Sequence, residues 1–215
     1  MDKLECFESV FLRCVDVESL KEDQGLREVV DELEEYLRKQ PICAYHCTRE
    51  PAPGYFKQQG LRLTNLKAHQ DEFLATFGHY FTASEVVELR EAWDRHFVAG
   101  KQVKHREGMI WFCLTKETAN SSGTDSFFKF FGGEAIFMPL KRHPTIADKL
   151  AKLGAPVVVS VRLLAGTSTP HRSLAMPLVS AYHRTLRPDA QPWPAETYIR
   201  QPVDSHDVLA VTKAS

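Results

Sequence analysis

Apolar residues recur at helical spacing through the first forty positions of the chain. Residues 4–15 and 19–39 each carry one apolar face, which predicts two amphipathic helices. Ser19, with Glu22 three residues later, matches a capping box at the start of the second helix. Pro41 should stop that helix, because proline cannot continue helical hydrogen bonding. The chain is therefore expected to open with helices.

Short strands and helices follow, separated by turn residues. Branched and aromatic runs predict six short strands, at 42–47, 109–115, 135–140, 156–164, 197–200 and 208–211. Helices are predicted at 55–59, 82–98, 125–131 and 145–153. Thr82 and Glu85 form a capping box for the second of these. Residues 170–186 are ambiguous, since Pro177 should break a helix there. This irregular order of elements predicts an α+β fold.

The composition is typical of a folded globular protein. The chain has 215 residues, of which 43% are hydrophobic, and this is enough to form a core. No apolar run approaches the roughly 18 residues needed to span a bilayer, and no signal peptide is recognisable. We therefore expect a cytoplasmic protein without a membrane partner. The five cysteines indicate reduced thiols, and no second pair near Cys43 and Cys47 completes a metal site, so no metal is predicted.

Charge is distributed unevenly along the chain. Residues 1–40, which we call the leader, hold 12 acidic and 6 basic residues, whereas the remaining body carries a net charge of +5. The near-neutral total of −1 argues against a protein that simply coats nucleic acid. The leader is interpreted either as a solvated amphipathic helix or as a segment near a basic ligand cleft. We predict two parts, an acidic helical extension at 1–40 and a domain at 41–215.

Three polar motifs stand on or beside predicted strands. They are Tyr-His-Cys-Thr-Arg at 45–49 followed by Gly-Leu-Arg at 60–62, Phe-Phe-Gly-Gly-Glu-Ala at 130–135, and Glu-Thr-Tyr-Ile-Arg at 196–200. Each one alone also fits an ordinary structural role, such as a hydrogen-bonded His or a solvated Glu. The combination is informative, because a His and a Thr end the first strand and a Glu opens the penultimate strand. The common glycine-rich phosphate loops and the Gly-x-Ser-x-Gly motif are absent.

These motifs resemble those of the ADP-ribosyltransferase superfamily, in its poly-ADP-ribose polymerase and bacterial DNA-modifying toxin branch. There the first core strand ends in His-Gly-Thr, and a short helix and a Gly-Leu pair follow. This chain has His46-Cys47-Thr48 and then Gly60-Leu61. The family's catalytic Glu opens the fifth strand in contexts such as Glu-Tyr-Ile, which corresponds to 196–199. The body is also similar to uncharacterised bacterial proteins with His-Cys-Thr-Arg and Gly-Gly-Glu-Ala motifs.

The resemblance covers roughly 42–213 and implies a split central β-sheet of about six short strands. It implies that the body is a catalytic domain that uses NAD as a substrate, releases nicotinamide and transfers ADP-ribose to a protein or nucleic-acid acceptor. Such an enzyme would suit a bacterial toxin or an antiviral defence component. The chain departs from the family at Cys47, where the family has Gly. Its Gly-Gly-Glu at 132–134 is not a standard element of that branch.

The resemblance also implies roles for particular residues. Glu196 is expected to be the catalytic carboxylate, with Glu134 as the second candidate. A carboxylate suits the reaction because cleavage at the ribose builds positive charge on the sugar. His46 joins the catalytic set and is expected to hold the adenosine-side ribose, while Thr48 or a backbone group is expected to hold the amide of nicotinamide.

Contacts to NAD are expected from both the first strand and its neighbours. The residues expected to contact NAD are Tyr45, His46, Cys47, Thr48, Arg49, Gly60, Leu61, Trp111 and Phe131. An aromatic ring should stack on nicotinamide, and the candidates are Tyr45, Trp111 and Phe131. An arginine should pair with the pyrophosphate, and Arg49 and Arg62 are the candidates.

Three other functions fit the same motifs. An RNA 2′-phosphotransferase would share the general fold and the use of NAD, with Arg49, Arg62 and Arg200 gripping the RNA phosphate. An NAD glycohydrolase would use water as the acceptor. A non-catalytic module would bind a nucleotide without reaction, and its leader would dock a partner or a regulator.

Overall fold

A computed structural model describes residues 2–15, 17–20, 22–164, 168–169 and 173–214. These residues form one antiparallel sheet with helices around it, which confirms the α+β class. The strands are β1 (Pro41–Glu50), β2 (Ile110–Cys113), β3 (Ala155–Leu164), β4 (Ser168–Thr169), β5 (Glu196–Ile199) and β6 (Val208–Lys213).

Helices precede the sheet and fill the connections between its strands. The α-helices are α1 (Asp2–Glu5), α2 (Glu8–Arg13), α3 (Val17–Leu20), α4 (Gln24–Leu37), α5 (Tyr55–Gln59), α6 (Leu66–Phe77), α7 (Ala83–Trp93), α8 (Lys116–Ala119), α9 (Asp125–Lys129), α10 (Gly133–Phe137), α11 (Ile146–Lys152) and α12 (Ala175–Leu186). A π-helical stretch, Asp94–Ala99, continues α7. In the described part of the chain, no helix has the length and apolar character needed to cross a membrane.

The sheet has the strand order β4-β5-β2-β1-β3-β6, and all neighbouring strands are antiparallel. Ten register pairs join β1 to β3, and four join β2 to β5. In contrast, β1 and β2 are registered at one pair alone, Tyr45 with Cys113. Two half-sheets, β1-β3-β6 and β2-β5-β4, therefore meet at one pair and separate beyond it. We call the gap between them the split.

Five of the six predicted strands are present, with ends shifted by up to three residues. The prediction of a strand at 135–140 is wrong, because this segment forms α10 and a following 3₁₀ turn, Met138–Leu140. Its apolar side chains, Ile136 and Phe137 above all, are buried in the helical core. A short apolar run carries no periodicity that separates a buried strand from a buried helix. The sixth strand is instead the two-residue β4.

The helical predictions for the leader need two corrections. Residues 4–15 do not form one helix, since α1 and α2 are separated by a turn at 6–7. Ser19 does not cap the next long helix, because it lies within α3. The N-cap of α4 is Asp23, whose side chain accepts a hydrogen bond from the amide of Leu26.

Three further helices test the rules used on the body of the chain. The capping box of Thr82 and Glu85 is confirmed at the start of α7. Pro177 does not break α12, since it lies in the first turn, where a backbone N–H needs no partner within the helix. Helix α6 was not predicted, and Asn65 caps it by accepting from Ala68.

The leader packs against α12 and builds a small core of its own. That core consists of Leu4, Phe11, Leu20 and Leu26 from the leader with Met176 and Val179 from α12. Glu34 of α4 caps α12, because its carboxylate accepts from the hydroxyl of Ser173 at 2.5 Å and from the amide of Ala175 at 2.9 Å. His183 is fully buried, and its Nε2 lies 2.9 Å from the carbonyl oxygens of both Phe11 and Cys14. The leader thus supports α12.

Replacement of Glu34 by Ala is expected to lower the free energy of unfolding by about 1–2 kcal/mol, because α12 loses its capping carboxylate. Chemical denaturation monitored by circular dichroism measures this change. Glu35→Ala is the matched control, since Glu35 lies on the same helix and is exposed. Equal stability of the two variants would contradict a capping role for Glu34.

Candidate functional site

A cavity of about 610 Å³ opens at the split. Its volume lies within the range of small-molecule sites. The walls come from both half-sheets and from helices that pack on them, including α6 and α10. All eleven residues predicted to act in catalysis or NAD binding line this one cavity: Tyr45, His46, Cys47, Thr48, Arg49, Gly60, Leu61, Trp111, Phe131, Glu134 and Glu196. No described residue of the leader lines it.

His46 bridges the two half-sheets across the split. It lies on β1, one residue beyond the single register pair, and its Nδ1 is 2.9 Å from the backbone oxygen of Trp111 on β2. Its ring also meets Phe112 edge-on, with the ring centroids 5.8 Å apart. Because a carbonyl oxygen can only accept, Nδ1 carries a proton, and Nε2 of the neutral ring is an acceptor. The geometry suits recognition of a hydroxyl group.

Burial lowers the pKa of His46 below its ordinary value of 6.5, although the hydrogen bond to Trp111 opposes the shift. The folded protein therefore holds this ring neutral where the unfolded chain binds a proton. Below pH 6.5, protonation favours the unfolded state, so the contribution of His46 to stability falls as the pH falls.

His46→Gln is expected to reduce the loss of stability between pH 7 and pH 5, because Gln can donate to the Trp111 carbonyl without titrating. The measurement is the free energy of unfolding from denaturant titrations across this range. A wild-type slope no steeper than that of the variant would show that His46 does not titrate as proposed. His206→Gln serves as the control, since His206 is highly exposed.

Glu196 stands at the base of the split. It opens β5 and is registered with Cys113, which in turn is registered with Tyr45 on β1. Residues that are directly opposite across neighbouring strands project on the same face of the sheet. The Glu196 side chain is exposed, and no cation of the described residues forms an ion pair with it. Its carboxylate is therefore available to a ligand.

Glu134 approaches the same space from α10. It follows Gly132 and Gly133, both of which have positive φ, and forms an ion pair with Arg106. Burial raises the pKa of the Glu134 carboxyl, and the charge of Glu196 adds to this rise, whereas Arg106 opposes it. The two predicted carboxylates thus lie within electrostatic reach of each other. They differ in environment, because Glu134 has a cationic partner and is mostly buried.

Arg106 is a cavity residue that the sequence did not single out. Its guanidinium carbon lies 5.6 Å from the centroid of the Trp111 ring, so Arg106 contacts both this ring and Glu134. Trp111 in turn packs against Tyr198, its partner on β5, with the ring centroids 5.0 Å apart. The basic connection at 100–108 was visible in the sequence, but no motif marked Arg106 within it.

The two arginines expected at the pyrophosphate have other partners. The guanidinium of Arg49 donates to the backbone oxygens of Phe128, Leu153 and Gly154. Arg49 therefore ties α9 and the short connection before β3 to β1. Arg62 forms an ion pair with Glu72 at 2.9 Å. Both line the cavity, but neither presents a free guanidinium to it.

Cys47 and Thr48 project to opposite faces of β1, as neighbours on a strand do. Cys47 is buried against Cys113 and Ala119, and its thiol donates to the backbone oxygen of Ala119 at 3.5 Å. The hydrogen bond between the two thiols lowers the pKa of Cys47, although burial opposes this shift. The same hydrogen bond and burial both raise the pKa of Cys113. Cys47 thus fills a small apolar cluster, while the buried Thr48 shares the face of His46.

Gly60 and Leu61 line the cavity between α5 and the segment near Val203. Leu61 is bridged to Val203 by two backbone hydrogen bonds of 2.9 Å. Gly60 has φ +68°, and a Cβ at this position would lie 2.1 Å from the backbone oxygen of Val203. This approach requires glycine.

The aromatic candidates differ in how much of the ring a ligand can reach. Phe131 is buried in the helical core, where its ring centroid lies 4.8 Å from that of Phe77. Tyr45 and Trp111 are each only partly buried. These two rings are therefore better placed than Phe131 to stack on a ligand.

Within the described residues, no group of three His, Cys, Asp or Glu side chains is arranged to hold a metal ion. No disulfide joins any two of the five cysteines, all of which lie in the described part of the chain. Comparison of the chain with protein families, with curated proteins and with solved structures finds no match.

Proposed function

We propose that the protein is an NAD-dependent ADP-ribosyltransferase whose site is the cavity at the split. The observation that carries this proposal is the convergence of His46, Glu134 and Glu196, which are far apart in sequence, on one cavity. A core built as two half-sheets joined at one register pair also agrees with the split sheet that the resemblance implies. These features support the proposal independently of composition and charge.

The residues suit cleavage of the bond between nicotinamide and ribose. As that bond breaks, positive charge builds on the ribose, and a carboxylate beside the sugar stabilises it. Glu196 is the better candidate for this role, because its exposed carboxylate has no cation of the described residues as a partner. Glu134 shares its charge with Arg106. Neutral His46 can accept from a ribose hydroxyl through Nε2.

The proposed acceptor of ADP-ribose is a macromolecule, without a choice between protein and nucleic acid. The exposed position of Glu196 leaves room for a macromolecule, either a protein or a nucleic acid, to approach the reacting sugar. A role in a bacterial toxin or in antiviral defence, and a cytoplasmic location, stay predictions from the sequence.

The test is incubation of the purified chain with NAD labelled in its adenine half, together with a cell lysate. We expect release of nicotinamide and transfer of the label to macromolecules. Digestion of the labelled product with protease or with nuclease identifies the acceptor class. Failure of the wild-type protein to bind NAD or to release nicotinamide would overturn the proposal.

The same assay separates the neighbouring activities. Release of nicotinamide with free ADP-ribose as the sole product would identify a glycohydrolase, and binding of NAD without turnover would identify a binding module. An RNA 2′-phosphotransferase would remove the phosphate from a 2′-phosphorylated RNA. That activity is less well supported, because Arg49 and Arg62 are engaged by protein groups and Arg200 does not line the cavity.

A further inference from the structure

Glu134 is paired with a cation at the cavity wall. Arg106 forms an ion pair with this carboxylate, and the charge of Lys141 also acts on it. The same two cations act on His96, whose pKa is lowered by burial first and by their charges second. Burial and these charges favour the neutral form of His96, so Arg106 and Lys141 are the charges that offset Glu134 here, and the guanidinium of Arg106 lines the cavity. A guanidinium at the wall of a cavity is a suitable partner for the phosphates of a ligand.

We propose that Arg106 binds the diphosphate of the dinucleotide and leaves Glu134 to do so. This inference rests on the proposed function, since it names the residue that recognises part of NAD. Arg106 then exchanges one anionic partner for another of higher charge. Lys141 is exposed and does not line the cavity, and its charge acts on Glu134.

Arg106 suits this role better than the other arginines of the cavity. The donors of Arg49 are used on three backbone oxygens, and Arg62 is held by Glu72. The single side-chain partner of Arg106 among the carboxylates is Glu134, in the described part of the chain, and about a third of the Arg106 side chain is exposed. A guanidinium can present two parallel N–H groups to a phosphate, which a lysine cannot.

The position of Arg106 also links the diphosphate to the rest of the ligand. Its guanidinium lies over Trp111, which is a candidate to stack on nicotinamide. In NAD the diphosphate is one ribose away from the nicotinamide, so the two groups should bind to neighbouring residues. Arg106, Trp111 and Glu134 meet this requirement, since they contact one another directly or through Arg106.

Exchange of partners changes the state of Glu134. Burial and the charge of Glu196 oppose ionisation of Glu134, whereas Arg106 and Lys141 favour it. When Arg106 turns to the diphosphate, Glu134 therefore takes up a proton from solvent more readily. A protonated Glu134 can donate a hydrogen bond to the ligand, which complements the anionic Glu196.

The test measures affinity for ADP-ribose by calorimetry in the wild type and two variants. Arg106→Gln should weaken ADP-ribose binding by about ten- to a hundredfold, because a charge-assisted bidentate contact is lost. Glu134→Gln should strengthen it several-fold, because the competing carboxylate is removed. Affinity for adenosine, which has no diphosphate, should be the same in all three proteins. Arg90→Gln, a surface variant of matched charge, should behave as the wild type.

The opposite directions of the two effects make the test decisive. If the Arg106–Glu134 pair only stabilised the fold, both variants would bind ADP-ribose more weakly, and this result would overturn the inference. Unchanged binding in Arg106→Gln would overturn it as well. Arg106→Lys, which keeps the charge, covers the case in which Arg106→Gln does not fold, and it should bind ADP-ribose more weakly than the wild type. Failure of the wild type to bind either NAD or ADP-ribose would instead refute the proposed function.

Discussion

Glu196→Gln is expected to lower the rate of nicotinamide release by about a hundred- to a thousandfold. The neutral amide keeps the size of the side chain and its place on β5, but it no longer stabilises positive charge on the ribose. Because the charge develops as the bond breaks, kcat should fall far more than the affinity for NAD. Steady-state assays of nicotinamide release, combined with a direct binding measurement, separate these two quantities.

The control for this prediction is Glu117→Gln, since Glu117 is exposed, pairs with Arg184 and lies outside the cavity. It should retain wild-type activity. Glu134→Gln is the informative comparison within the site. If Glu134→Gln alone abolished turnover and Glu196→Gln did not, the order of the two carboxylates would be wrong.

Gly60→Ala is expected to lower the free energy of unfolding by about 3 kcal/mol or more. The residue has φ +68° and ψ −154°, a conformation that side-chain-bearing residues avoid. An added Cβ would also lie 2.1 Å from the backbone oxygen of Val203, so the two segments must move apart. The bridge between Leu61 and Val203 would be lost with this movement, and NAD affinity should fall with it. Thermal and chemical unfolding measure the first effect, and titration with NAD measures the second.

Gly78→Ala is the matched control for the loss of glycine. Gly78 ends α6 in a right-handed helical conformation, and no atom lies within 4 Å of the position that an added Cβ would take. Its replacement should leave stability unchanged or raise it slightly, because alanine restricts the unfolded chain. A similar loss of stability in both variants would show that the close approach at Gly60 is not the cause.

The sequence predicted the strands best where local composition leaves one solution. The run of branched residues at 156–164 favours a strand over a helix, and β3 pairs with both β1 and β6. The same reasoning failed at 135–140, where burial comes from helices and not from a sheet. It also failed at Pro177, because the rule against proline in helices does not apply to the first turn.

The candidate site was predicted from motifs that are far apart in the sequence. Residues near 46, 60, 111, 134 and 196 do line one cavity, although sequence alone contains no information on their distances. Arg106 could not be found in this way, because its importance depends on two contacts, with Glu134 and with Trp111. Arg49 shows what the sequence leaves out. Its contact with a ligand stays a prediction, and its guanidinium also donates to backbone oxygens of segments that are distant in sequence.

The single register pair between β1 and β2 gives the molecule two strand edges in its interior. Alternate backbone groups of a strand point towards each neighbour. Beyond Tyr45, the backbone groups of β1 that point towards β2 border the cavity. In a continuous sheet they would form hydrogen bonds to the next strand. An amide-bearing ligand can pair with these main-chain groups as an added strand would. Pairing of this kind would depend on the backbone of β1 and not on the side chains of Arg106, Glu134 or Glu196.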